Sequence, residues 1–293
     1  MIEVGGASIV ATANLVLPWS DVLTIRIGAS LPEAIYWTIA INMMIAAAIT
    51  LILMVFDART LDGHTSVWAK PLKFELSLAL HASTLALVCG LFSASHKGST
   101  AMMLIAVVFL AACIVEMGYI IVQGGLGQQS HFNVGTPFHR FMYSMMAFAA
   151  IIIVGAAAAL GLAVLSDSGF SAPPALKMAI LVGLVGGTVL TVITAFTIGG
   201  RMSPYVGNIP DFGARMGLTG WSQTSGDLRV SHFLATHMIQ IVPVAGLLIE
   251  RTTSGRTAIL WVLVVAAFWT ALTLAEYRTA LNGKPSAIAT LTR

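Results

Sequence analysis

The decapeptide LKFELSLALH at residues 72–81 recurs in altered form as LRVSHFLATH at residues 228–237. Each copy begins with Leu and a basic residue, continues with Leu-Ala and ends with His. Nine residues beyond each His the sequence reads Gly-Leu, at 90–91 and at 246–247. A His inside a bilayer is costly and therefore marks a functional-site hypothesis. The matched pair predicts a duplicated scaffold with one site between its halves.

The apolar composition of the chain predicts a membrane protein. Of the 293 residues, 57% are hydrophobic and 9% are charged, whereas about a quarter are charged in soluble domains. Apolar runs of about 20 residues, the length that crosses a hydrocarbon core, recur along the chain. They predict an all-α bundle of seven transmembrane helices, at residues 33–56, 70–93, 101–123, 138–165, 175–198, 229–249 and 257–281. We therefore expect a multi-pass protein of the inner membrane, with the lipid bilayer as its partner and no role in binding nucleic acid.

The distribution of Lys and Arg predicts the orientation. Ten of the fifteen basic residues lie on one side of the predicted bundle, and the more basic side normally faces the cytoplasm. This places the N-terminus outside and the C-terminus in the cytoplasm. Residues 1–32 are apolar but interrupted by Pro18, Asp21 and Arg26, and they lack a basic leader, so we expect an interfacial segment there. An eighth span is the alternative. The seven-helix domain then covers residues 33–293.

The sequence match extends beyond the two histidine helices. Glu116 in the third span is followed by Gln-Gly, and Glu276 in the seventh span by Asn-Gly. The second and sixth spans enter the membrane from the same side, so the two repeats would be parallel, with a site expected at their interface. Chance similarity between apolar segments is the alternative. The predicted 3+1+3 organisation has repeat one at about residues 33–123, a linker helix at 138–165 and repeat two at about 175–281.

Small residues mark two further features of the spans. The two cysteines, Cys89 and Cys113, lie within spans and are interpreted as small buried residues, not as a disulfide or a metal pair. Glycines in the middle of the fourth and fifth spans predict close helix packing. These glycines are Gly155, Gly161, Gly183, Gly186 and Gly187.

The expected depths place several polar residues near one level of the membrane. With a rise of 1.5 Å per residue, His81 lies roughly 16 Å and His237 roughly 13 Å into its span, and Glu116 roughly 10 Å above the inner end of its own. An ionised carboxylate at that depth needs a partner or a proton. A long segment at 199–228 on the cytoplasmic side could cover this level as a lid, and a plain connecting loop is equally consistent with its sequence. Other polar side chains form a path from this level toward the cytoplasm. They are Lys73, Ser77, Gln123, His131, Arg229, His232, Thr236, Gln240 and Glu276.

The first chemistry that fits this pattern is binding of haem b. Neutral His side chains on two facing helices can hold haem iron from both sides, so His81 and His237 are candidate axial ligands. Lys73 and Arg229 each precede their His by eight residues, roughly 12 Å along the helix, where they could bind propionates. The protein would then be a redox or electron-transfer membrane protein. Protons or a quinone would reach the site from the cytoplasm past the third span.

A transition-metal ion is the second hypothesis. His81, His237 and Glu116 offer nitrogen and oxygen ligands suited to zinc, iron or manganese. Ser77 precedes His81 by four residues, and this Ser-x-x-x-His element resembles the seven-helix zinc hydrolases of the ceramidase and adiponectin-receptor group. The resemblance implies a membrane-embedded metal-dependent hydrolase, in which we would assign Ser77 and Glu116 catalytic roles. The second histidine pair of that group is not matched, since His232 and His237 are five residues apart.

Transport is the third hypothesis. Seven helices in parallel three-one-three repeats resemble the small sugar-transporter family with triple-helix bundles, but the Pro-Gln loop signature of that family is missing, because Leu follows Pro71 and Val follows Pro243. The resemblance implies a small-solute or proton-coupled transporter that uses the same polar residues. Strings such as GDLRVSHF and QSHFN also resemble uncharacterised bacterial multi-pass membrane proteins, a likeness that implies no activity. The sequence leaves the three hypotheses open, and with them whether the protein is an enzyme.

Overall fold

The computed structural model of the chain consists almost entirely of helices, seven of which are long and apolar enough to cross a membrane. It describes residues 14–15, 25–26, 30–208, 214–217 and 219–291. The seven candidate spans agree with the predicted ones, so the prediction of an all-α bundle with seven helices long and apolar enough to cross a membrane is confirmed. Counting the short α3 and α9, the helices are α1 (Leu31–Phe56), α2 (Ala69–Gly90), α3 (Ala94–Lys97), α4 (Thr100–Gly125), α5 (Pro137–Ala163), α6 (Pro174–Arg201), α7 (Leu228–Ile249), α8 (Gly255–Leu281) and α9 (Ala287–Thr290).

Two small antiparallel strand pairs accompany the helices. β1 (Asn14–Leu15) pairs with β2 (Ile25–Arg26), and β3 (Tyr205–Val206) pairs with β4 (Gly226–Asp227). The second pair draws together the two ends of the segment between α6 and α7. Most of the predicted interfacial segment at residues 1–32 lies outside the described residues.

Local sequence signals determine where the spans begin. Ser30, Ser99 and Thr136 accept a hydrogen bond from a backbone N–H in the first turn of α1, α4 and α5, respectively. A proline also occupies the first turn of α1, α5 and α6, where its missing N–H costs no helical hydrogen bond. These caps satisfy backbone groups that hydrocarbon cannot.

The seven spans form two groups of three, with α5 between them. α1, α2 and α4 contact one another, as do α6, α7 and α8, whereas α5 packs against α4, α6 and α2. Two side chains bind the middle of α5: His81 Nε2 donates to the carbonyl of Ile153 at 3.1 Å, and Thr188 Oγ1 donates to the carbonyl of Val154 at 2.9 Å. Neighbouring carbonyls of one helix therefore link it to both groups.

Glycines allow close approach of the helices around α6. A methyl group at Gly183 or at Gly187 would lie within 2.7 Å of a side-chain atom of α7, and one at Gly161 within 3.0 Å of α6. These distances confirm the predicted close packing at three positions. Gly155 is different, because a methyl group there would meet nothing within 4 Å.

The two ends of the bundle differ in their connections. The loop-rich end carries residues 57–68, residues 126–136 and the α6–α7 segment, which is described at 202–208, 214–217 and 219–227. The short-loop end carries residues 91–99, 164–173 and 250–254. The site hypotheses all concern residues between these two ends.

Charged side chains join the connections of the loop-rich end. Arg59 Nη1 donates to the last carbonyl of α4 at 3.0 Å, and Arg215 forms an ion pair with Asp62 at 3.2 Å. Hydrogen bonds from Arg59 and from the indole of Trp68 hold the pKa of Asp57 below its usual range. The connections are therefore linked to one another across the end of the bundle.

Candidate functional site

Glu116 is buried in α4 near residues 126–136. Its side chain is 5% exposed, and its Oε1 lies 3.6 Å from His131 Nε2. Lys70, in the first turn of α2, is close enough to interact electrostatically with the same carboxyl group. The other carboxyl oxygen, Oε2, is buried and has no hydrogen-bond partner on the protein. We call these three residues the Glu116 cluster.

His131 connects the buried carboxyl group with the loop. Its Nδ1 lies 3.3 Å from Ser130 Oγ, and its ring packs against that of Phe74 at a centroid distance of 5.6 Å. Burial, with a smaller effect of the Lys70 charge, lowers the pKa of His131 to about 3. The ring is therefore neutral near neutral pH, and a neutral imidazole can accept a proton at one nitrogen and release one at the other.

The loop that carries His131 opens to solvent. An open depression of about 390 Å³ is lined by residues that include Gln129, Phe132 and Asn133, and the His131 side chain is 25% exposed. Phe132 has a φ of 59°, which is an uncommon conformation for a residue other than glycine. His131 thus lies between a solvent-open surface and a buried carboxyl group.

The two matched histidines have different environments. His81 is buried, and because a carbonyl oxygen only accepts, the hydrogen of its bond to Ile153 must be on Nε2. His237 Nδ1 lies 3.2 Å from Gln240 Oε1, so there the hydrogen is on Nδ1 and Nε2 is left as an acceptor. An iron or zinc ligand needs an unprotonated ring nitrogen. Nε2 of His237 and Nδ1 of His81 both meet that requirement.

The predicted metal ligands are not assembled into one centre. Among the residues that the structure describes, no three His, Cys, Asp or Glu side chains are grouped so that they could hold a metal ion. Ser77, to which the metal hypothesis assigns a catalytic role, is exposed on α2. His81 and His237 each keep one unprotonated ring nitrogen beside the bonded one. Haem b, a transition metal and a quinone partner stay predictions.

The two matched bases bind the same segment of chain. Lys73 Nζ donates to the carbonyl of Thr219 at 2.9 Å, and Arg229 Nη2 donates to the carbonyl of Gly220 at 2.7 Å. Arg229 also forms a salt bridge with the buried carboxylate of Asp227 at 2.5 Å. Lys73 and Arg229, which were predicted to bind propionates, therefore hold the α6–α7 segment against the ends of α2 and α7. This is the segment for which the sequence suggests a lid.

His232 and Thr236 belong to a hydrogen-bonded seam between α6 and α7. Thr194 Oγ1 lies 2.9 Å from His232 Nδ1, and Thr191 Oγ1 donates to Thr236 Oγ1 at 3.3 Å. The polar atoms of this seam find partners on the neighbouring helix. They are explained as packing interactions of the second group.

Buried polar atoms without a hydrogen-bond partner are concentrated in the first group of helices. Among the described residues, only Glu276 of α8 carries such an atom outside that group. A polar atom without a partner in hydrocarbon surroundings is costly, so its neighbourhood is where water, an ion or a solute is expected. The remaining residues with such atoms, all on α1, α2 or α4, are Glu33, Tyr36, Trp37, Glu75, Glu116, Tyr119 and Gln123.

The sequence analysis found part of this region. Glu116, Gln123 and His131 were predicted as members of a polar path, and the structure places them in the first group or on its adjoining loop. Lys70 and Glu33 were missed. Each lies in the first turn of a span, where a charged residue is typical of an interfacial anchor or a helix start, and only the packing shows what its side chain faces.

Comparisons of the chain with protein-family models, with curated proteins and with solved structures give no match.

Proposed function

We propose that the protein is a proton-coupled transporter of a small solute. The observation that carries this proposal is the Glu116 cluster, in which a buried carboxyl group has one oxygen without a partner and the other 3.6 Å from a partly exposed histidine. Ionisable groups inside a membrane commonly mark proton relays and ion or substrate pathways.

The coupling would occur at the free oxygen of Glu116. An ionised carboxylate at this depth needs compensation, which a proton or a hydrogen-bond donor of a bound solute can supply. Binding of a proton to Glu116 therefore competes with binding of the solute. Lys70 provides a basic side chain that interacts electrostatically with Glu116, and His131 exchanges the proton with water at the loop-rich end.

The scaffold of the proposed transporter consists of two parallel three-helix repeats joined by α5. In each group all three helices contact one another. The matched glycines also have equivalent positions: Gly90 of α2 faces Glu33 of α1, and Gly246 of α7 faces Ala179 of α6. These contacts favour a correspondence of α1 with α6, α2 with α7, and α4 with α8. The excess of basic residues favours a cytoplasmic location of the loop-rich end.

Transport is preferred to the haem and hydrolase hypotheses for a structural reason. The haem hypothesis needs Lys73 and Arg229 for the propionates, but both instead donate to carbonyls of the α6–α7 segment. The hydrolase hypothesis needs Ser77 beside Glu116, but Ser77 is exposed on α2. No comparable conflict exists for proton exchange at Glu116.

The proposal is tested with purified protein in liposomes that contain a trapped pH-sensitive dye. A potassium diffusion potential is imposed, and small mono- and dicarboxylates, amino acids and sugars are added in turn. We expect at least one solute to change the lumenal pH, and Glu116→Gln to slow that flux by about a hundredfold. Glu250→Gln is the matched control, because its carboxylate already accepts a hydrogen bond from Ala175 N at 2.9 Å. Equal fluxes in Glu116→Gln and the wild type, or no solute-dependent flux in the wild type, would overturn the proposal.

A further inference from the structure

We infer that Glu33 is a second proton-binding site at the short-loop end, and that α1, α2 and α4 enclose a proton path between Glu33 and Glu116. This inference deepens the proposed function and rests on it for the role of the path. The site itself is argued from the surroundings of Glu33.

The Glu33 carboxyl group is not used to cap its helix. The first turn of α1 is capped by Ser30, whose Oγ accepts from Glu33 N at 3.4 Å. The residue is 3% exposed, and its buried Oε2 has no hydrogen-bond partner. Its carboxyl group lies over Gly90, where an added methyl group would be 3.6 Å from Oε1. A buried acid that does not cap the helix and has a free oxygen is placed to hold a proton.

The groups around Glu33 come from three helices. Lys97 of α3 donates to the carbonyl of Gly90 at 3.1 Å and acts electrostatically on Glu33. Cys89 of α2 is the second titratable neighbour. On α1 itself, the indole of Trp37 interacts with the Glu33 carboxyl group, although its Nε1 forms no hydrogen bond of regular geometry. Lys97 thus offers a basic side chain at this end, as Lys70 does for Glu116 at the other.

Polar groups continue from Glu33 toward the Glu116 cluster. Tyr36, one turn further along α1, is completely buried and its hydroxyl has no partner. This hydroxyl is within electrostatic range of both Cys89 and Cys113, and Cys113 is within range of Glu116. A phenol hydroxyl both donates and accepts. It is therefore suited to order water between the two carboxyl groups.

Among the residues that the structure describes, the second group of helices has fewer buried polar atoms without a partner. The hydroxyl groups of Thr191 and Thr194 are bonded to Thr236 and His232 across the α6–α7 interface, and Glu276 Oε2 is the one such atom on α6, α7 or α8. The path is therefore assigned to the first group, where these atoms are concentrated.

The test uses infrared difference spectra of the full protein in liposomes of uniform orientation. The pH is changed on one side only, while the other side is strongly buffered. The C=O stretching band of a protonated carboxyl group is followed in the wild type, Glu33→Gln, Glu116→Gln and the control Glu250→Gln. We expect one band that is lost in Glu33→Gln and follows the pH at the short-loop end. A second band, lost in Glu116→Gln, should follow the pH at the loop-rich end.

The outcomes separate this inference from the proposed function. An unchanged carboxyl spectrum in Glu33→Gln, or a Glu33 band that ignores the pH at the short-loop end, overturns the second site. Normal solute-dependent proton flux in Glu33→Gln, with flux lost in Glu116→Gln, overturns the path but leaves the transporter proposal intact. A titrating Glu33 band in a wild-type protein that shows no flux supports the site and overturns the transporter. A Tyr36→Phe variant that slows the flux about tenfold or more, with both bands retained, supports the path.

Discussion

Replacing Gly246 by alanine should destabilise the bundle, whereas the same change at Gly90, the glycine at the matching sequence position, should not. A methyl group at Gly246 would lie 2.4 Å from Ala179 Cβ, and ordinary contacts begin at 3.4 Å, so α6 and α7 must separate by about 1 Å. Overpacking of this kind costs about 1–3 kcal/mol, of which the better helix propensity of alanine offsets about 0.5–1 kcal/mol. The expected net loss is about 0–2.5 kcal/mol, with a middle value of about 1 kcal/mol.

At Gly90 the nearest atom to an added methyl group is Oε1 of Glu33 at 3.6 Å, which is an ordinary contact. We therefore expect a change in stability of less than about 0.5 kcal/mol there. The Tm values of the two variants and the wild type are compared by thermal unfolding in detergent, followed by tryptophan fluorescence. A loss of about 1 kcal/mol in stability should lower the Tm by about 2–4 °C.

A double mutant identifies the cause of the expected loss. In the Gly246→Ala background, Ala179→Gly removes the atom that would be overlapped and should restore part of the stability. Equal melting of Gly246→Ala and Gly90→Ala, or strict additivity of the two changes at the α6–α7 contact, would refute the packing argument.

Three further changes test other contacts by the same unfolding assay. His131→Gln should reduce the dependence of stability on pH, because the pKa of His131 is about 3 in the folded protein and 6.5 as its ordinary value. The stability of the wild type should therefore fall as the pH falls below 6.5, by up to about 2 kcal/mol near pH 5. Parallel curves of stability against pH for the variant and the wild type would contradict this. Thr188→Val removes the hydrogen bond to the Val154 carbonyl and should cost about 1 kcal/mol; an unchanged Tm would show that this bond does not stabilise α5. Arg229→Gln leaves the buried Asp227 carboxylate uncompensated and should cost about 3 kcal/mol, with faster proteolysis of the α6–α7 segment; unchanged proteolysis would argue against its role in holding that segment.

The sequence predicts the helices well because their signals are local. A span is recognised from about 20 consecutive apolar residues, and its start from a Ser or Thr cap or a first-turn proline, as at Ser30, Ser99 and Thr136. Glu116 and His131 could also be singled out, since polar residues near the middle or the exit of an apolar run are rare. These features need no knowledge of the neighbouring helices.

The partner of each side chain was decided only by the tertiary structure. His81 and His237 match in sequence, yet one bonds to a carbonyl of α5 and the other to a glutamine of its own helix. Lys73 and Arg229 meet at adjacent carbonyls of the α6–α7 segment, and a backbone carbonyl has no signature in the sequence. The apolar sequence thus determined how many helices cross the membrane. The rotation and packing of those helices decided that the open polar atoms gather in the first group and not between the matched histidines.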